Sequence, residues 1–159
     1  MGARAQELAE QFERANAELI AAIGRCGDDR WGACCADTGW TAAVQADHLG
    51  AGQAFIADRI GRIARGEAEA PLPIAAIEQA NERRAAERAG GSRDEASAQL
   101  RENGAAMAQM IRGLSDEQLA RSGKIVAELP SHSVEGWIAY LSIGEIERHG
   151  GRLREAIGA

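Results

Sequence analysis

Apolar residues recur along this chain at intervals of three and four, the period of a helix buried on one side. From Ala3 to Gly24 the stripe is Leu8, Phe12, Ala15, Leu19 and Ile23. A second stripe, Val44, His48, Ala51 and Phe55, is widened by Leu49, Ile56, Ile60 and Ile63; it predicts a helix from a Thr41 N-cap to about Arg65. The intervening CGDDRWGACCADTGW has no period and is dense in Gly, Asp and Cys, which reads as a loop. After the break at GEAEAPLP, a shorter helix runs from Ile74 to about Arg88 and stops at Gly90 and Gly91. Ser92 to Glu95 forms a capping box, in which each side chain satisfies an orphan backbone N–H, and a helix restarts with Ala96, Leu100, Met107, Met110 and Leu114 on its apolar face. A second box, Ser115 to Gln118, opens one short turn, and GKIVAELP is the only strand-like piece, too small to be a sheet. Ser133 then caps a last helix from Val134 to about Ala156. Four long amphipathic helices with polar connections predict an all-α bundle, one domain over residues 1–159.

The last stripe contains a contradiction. Val134, Ile138 and Leu141 continue at the same spacing to Glu145 and His149 before apolar residues return at Leu153 and Ile157. An exposed Glu–His pair four residues apart would be worth only a few tenths of a kcal/mol. On a buried stripe, an unpaired carboxylate is expensive. His48 occupies the same kind of position on the second stripe, where a lone histidine is ordinarily a core residue bonded to a carbonyl. Two imidazoles and a carboxylate together offer the ligand set of zinc or a similar divalent metal, with a coordination position left open. An ion would stabilise the carboxylate and hold both imidazoles neutral. Gly52, Gly144, Gly150 and Gly151 flank these residues, leaving room for a ligand or for close helix packing.

Composition narrows the classes of function. The chain is rich in Ala, Glu, Arg and Gln and holds six aromatics, a mix that favours helix over strand. A net charge of −6, with basic and acidic residues intermixed, argues against nucleic acid. No run approaches the ~20 apolar residues of a membrane span, and the acid-bearing N-terminus has no apolar signal core, so the expected address is cytoplasmic. Cys26, Cys34 and Cys35 are odd in number and lack a CxxC partner, as expected of free thiols in a reducing compartment.

The stretch WTAAVQADHLGAGQAF, a tryptophan, a helix start and then His-Leu, resembles the second-helix motif of the DinB-like superfamily. Members carry two further ligands four residues apart on the last helix, commonly His-x3-His. Here the pair is Glu145 and His149, and this Glu-x3-His variant resembles the mycothiol-dependent maleylpyruvate isomerase branch, as does the middle segment with Asn81. The resemblance spans nearly the whole chain. It implies an antiparallel four-helix bundle with short extra helices in the connections, and His48, Glu145 and His149 as ligands of a divalent metal, zinc foremost, with nickel or manganese as alternatives. It also implies a low-molecular-weight thiol such as mycothiol as cofactor or co-substrate. The isomerases of that branch have an additional C-terminal domain beyond the stretch seen here, so the resemblance implies the metal site more directly than the isomerase reaction.

The functional expectation is thus a metal-dependent thiol S-transferase or thiol-dependent isomerase, acting on a small-molecule thiol and an electrophile. The alternatives are a metal-dependent hydrolase and a non-catalytic, metal-stabilised binding or stress-response module. No protein nucleophile is proposed; the reacting group would be a thiolate or water at the metal. Trp40, Gly52, Asn81 and Trp137 are candidates for the substrate pocket, with core packing the alternative for both tryptophans. Arg83, Arg84, Arg148 and Arg152 are candidate cations for an anionic substrate. The alanine-rich first helix is a candidate homodimer surface.

Overall fold

A computed structural model describes residues 2–68 and 70–159; Met1, and Glu69 within the GEAEAPLP break, lie outside the described residues. The elements are α1 (Ala3–Arg25), α2 (Asp28–Trp31), α3 (Ala42–Ala64), α4 (Ile74–Glu87), α5 (Arg93–Arg112), α6 (Asp116–Ala120), β1 (Ser122–Gly123), β2 (His132–Ser133), α7 (Val134–Trp137), a π-helical segment (Ile138–Ile143) and α8 (Gly144–Ile157). The predicted caps form. Thr41 Oγ1 accepts from the Val44 N–H, and both capping boxes, at Ser92/Glu95 and Ser115/Gln118, are complete.

The first stripe is buried as its period requires: Leu8, Phe12, Leu19 and Ile23 are closed off from solvent, as are Leu100, Met107 and Ile111 of α5 facing them. Arg93 at the start of α5 bonds to the Cys26 carbonyl at the end of α1, Asn16 reaches Leu100, and Arg112 pairs with Glu13, so α1 and α5 run antiparallel. Asn103 Nδ2 donates to the Gly50 carbonyl at 2.8 Å, and Gly104 abuts Gln53, so α5 runs parallel to α3. The long connection through α4 permits this. At the other end Arg121 joins the α3 terminus at Ala64 to Val134, while His48 faces His149, making α3 and α8 the second antiparallel pair.

Two expectations need revision. The last helix runs through from Val134 to Ile157 but is not α-helical throughout, because Ile138–Ile143 is wound with the wider π spacing. GKIVAELP contributes only the two-residue strand β1 (shared with Ser122), paired with β2, and an isolated bridge between Val126 and Leu72. That bridge ties the chain entering α4 to the bundle, with Leu72 N–H donating to the Ile125 carbonyl at 3.0 Å. No residue of α4 is buried, so the helix lies on the surface over α3.

A polar relay crosses the oily interior. Gln53 Nε2 donates to Asn16 Oδ1 at 2.7 Å, and Asn16 Nδ2 donates to the Leu100 carbonyl at 2.9 Å, linking α3, α1 and α5. Gly104 makes room for it, since a Cβ there would overlap Asn16 Nδ2. Gly104→Ala should therefore lower stability by about 1–2 kcal/mol in urea unfolding. The helix-propensity gain of up to ~1 kcal/mol is outweighed by displacing a buried amide from both of its partners. Asn16→Ala combined with Gly104→Ala should remove the conflict and cost less than the sum of the two.

Candidate functional site

Where α3 and α8 diverge, a cavity of about 480 Å3 opens, roofed by α4 and closed at one side by Ile125 and Val126. Its walls are mainly apolar. Three polar side chains gather at one end, His48 from α3 and Glu145 and His149 from α8. The interruption of the last stripe thus faces a chamber rather than solid core, and all three residues are half-buried. Four-residue spacing on α8 sets Glu145 and His149 one turn apart, with His149 Nε2 3.4 Å from Glu145 Oε2.

His149 Nδ1 lies 3.0 Å from Asp37 Oδ2, in the loop after α2. A carboxylate only accepts, so Nδ1 carries the proton, and in the neutral ring Nε2 turns its lone pair toward Glu145. Two electron-rich atoms at this range repel each other unless a proton or a cation is close to both. The His–carboxylate pair is also the arrangement that fixes ring orientation and tautomer behind a metal-binding nitrogen. Burial holds the His48 pKa below its usual 6.5, partly offset by the Glu145 charge, so this imidazole is neutral at pH 7. Trp40 packs against the His48 ring with centroids 5.2 Å apart.

The His48 and His149 rings have centroids 6.1 Å apart. Two imidazoles sharing one tetrahedral ion at about 2.0–2.1 Å place their centroids about 5.2 Å apart, and ~6.4 Å is reached only with the two nitrogens opposite each other, so the rings here stand wider than a tetrahedral ion holds them. The donor set therefore fits in kind, and the two rings would have to close by about 1 Å to share a tetrahedral ion. Among the described residues no three His, Cys, Asp or Glu side chains stand close enough together to hold a metal ion. One oxygen of the Glu145 carboxylate is already engaged, Arg148 Nη2 donating to Oε1 at 2.6 Å.

Of the pocket candidates, Trp40, Gly52 and Asn81 line the chamber, and a Cβ on Gly52 would meet open space. Trp137 does not line it. That ring is fully buried in the core, its Nε1 donating to the Gly123 carbonyl at 2.8 Å. Gly150 serves helix packing instead, against Leu19 of α1. Arg84 reaches the chamber but is bound to Asp47, Arg152 pairs with Glu155, and Arg83 is exposed on α4. His132 lies away from the trio, its ring 4.6 Å from that of Trp137. Asp37 and Ser142 are additions that no periodicity announces. Ser142 lines the chamber, and its buried hydroxyl has no hydrogen-bond partner among the described residues.

Comparison with known proteins agrees with this architecture. The family model for the DinB superfamily matches residues 11–152. Among solved structures, the chain is similar to a histidine-to-alanine variant of a mycothiol-dependent maleylpyruvate isomerase, with a TM-score of 0.74 and 12% identity. The match covers 96% of this chain and 63% of that one, so the sequence spans less than two thirds of the isomerase. Comparison with curated proteins gives no match. Among the described residues no helix is long and apolar enough to cross a membrane.

Proposed function

The chain belongs to the DinB superfamily, and on that premise we propose that it binds a divalent metal through His48, Glu145 and His149 and joins a low-molecular-weight thiol such as mycothiol to an electrophile. The reading rests on one observation, the gathering of these three donors at one end of a mainly apolar chamber. Zinc suits the donor set best, with nickel or manganese as substitutes.

A divalent ion lowers the pKa of a bound thiol from its usual value of about 8.5, making it a thiolate at neutral pH. The protein's own groups have distinct tasks. His48, kept neutral by burial, offers a lone pair without losing a proton first. Asp37 holds the Nδ1 proton of His149 and so orients Nε2. Arg148 balances the Glu145 charge from the solvent side. The apolar walls exclude water that would compete with the thiol for the electrophile. In S-transfer the sulfur forms a bond to carbon while the leaving group departs with its electron pair; the thiol proton ends in solvent.

Monochlorobimane provides the test, since the C–S bond replaces C–Cl and chloride leaves. Zinc-loaded protein, incubated with mycothiol or other biological thiols, should accelerate bimane labelling above the uncatalysed rate, and His48→Ala should remove the acceleration. Equal rates with wild-type protein, His48→Ala and buffer would sink the transferase reading.

A further inference from the structure

The chamber's charge balance says what it accepts. Among the described residues lining it, Arg84 is the only lysine or arginine. Its guanidinium is already engaged: Nε donates to Asp47 Oδ2 at 2.5 Å and Nη2 to Asp47 Oδ1 at 2.9 Å, a bidentate pair joining α4 to α3. Asp47 is the better buried partner, with its side chain 13% exposed, and Arg88 approaches the same carboxylate at 3.6 Å. The rest of the lining is mainly apolar, with Leu49, Phe55, Ile56, Ile77 and Leu141, and its other polar groups away from the donor end (Thr38, Gln53, Asn81 and Ser142) are neutral, so none supplies the counter-charge a buried carboxylate needs. At the donor end the proposed ion would offset the Glu145 charge, so the selection is set at the α4 end of the chamber, and Arg148, the guanidinium paired with Glu145, is outside the lining.

We propose that Asp47 is a specificity-determining residue: by closing Arg84 into an ion pair it makes the chamber select uncharged, largely apolar electrophiles over carboxylates. This rests on the chamber being the substrate site of the proposed reaction. The Ser142 hydroxyl, without a hydrogen-bond partner among the described residues, supplies a polar contact for one carbonyl or hydroxyl of such a molecule.

Binding of benzylideneacetone, a neutral enone, and of its para-carboxy analogue tests this by calorimetry, with zinc-loaded protein and no thiol present. The para position sets the charge at the far end from the carbonyl. Wild-type protein should bind the enone at least about tenfold more tightly than the carboxylate. Asp47→Asn, which retains the shape but frees the guanidinium, should raise carboxylate affinity by about tenfold while moving the enone by less than about threefold. The gain should vanish in the Asp47→Asn, Arg84→Gln double variant, which separates a charge effect from a general loosening of α4. The proposal is overturned if the carboxylate binds wild-type protein as tightly as the enone, if Asp47→Asn leaves its affinity unchanged, or if the enone does not bind. The measurement needs no turnover. Failed bimane labelling with this binding pattern intact would therefore count against the thiol reaction alone, and labelling without the pattern would count against the selectivity alone.

Discussion

His48→Ala should weaken zinc binding by well over 100-fold, and Asp37→Ala by about 10–100-fold, in competition with a fluorescent zinc chelator at pH 7. The order follows from where each group stands. His48 is one of three proposed donors and the only one supplied by α3, so its loss leaves two ligands on a single helix turn. Asp37 would touch no ion; it holds His149 Nδ1 at 3.0 Å, and losing such an outer partner typically costs one to two orders of magnitude. Asp37→Asn should recover little, because a neutral amide supports the imidazole less than a carboxylate does. Arg148→Gln should act in the opposite sense. It releases Glu145 Oε1 from the 2.6 Å bond that competes with an ion for that oxygen, and so should tighten binding or leave it unchanged. Affinity unaffected by His48→Ala would remove the ground for any metal-dependent reading. A larger loss in Asp37→Ala than in His48→Ala would mean that the donor set has been assigned wrongly.

The degree to which this site is legible in sequence depends on range. His48, Glu145 and His149 stand out because each interrupts an apolar stripe of known period, and periodicity is a local property. The same reasoning places Leu8, Phe12, Leu19 and Ile23 in the core, where burial agrees with it. It does not reach Asp37, whose partner lies 112 residues away and whose loop has no period. Nor does it find the π-helical segment, because one wider turn leaves no mark in a sequence with apolar residues on both sides. Helix direction is a similar case. Antiparallel pairs α1/α5 and α3/α8 coexist with a parallel α3/α5 contact, which follows from the path through α4 rather than from any stripe. The pairing of Arg84 with Asp47 is likewise long-range. On sequence, Arg84 is an available cation; in the fold it is spoken for.

Trp137→Ala should lower stability by about 3–5 kcal/mol, the largest single loss expected outside the site, measured as a shift of the urea midpoint at constant slope. Tryptophan near a chamber invites a role in binding, and spacing alone could not separate that from packing. The fold does. Trp137 has no exposed surface, touches the ring of His132, and donates its indole N–H to the Gly123 carbonyl, which holds β1 against α7. Truncation creates a cavity larger than its neighbours can fill and removes the indole's hydrogen bond to that carbonyl. Trp137→Phe separates the two contributions: most of the apolar volume stays, the N–H goes, and about 1–3 kcal/mol should be lost. Neither contribution passes through the chamber, so Trp137→Phe should bind benzylideneacetone as the wild-type protein does. Trp40→Ala should reverse the pattern. That ring lines the chamber and packs on His48 at 5.2 Å, but it is only half-buried, so less stability and more ligand affinity should be lost. If Trp137→Phe weakened the enone while leaving the urea midpoint unmoved, the indole would be a wall of the chamber, and the core assigned to it would be wrong.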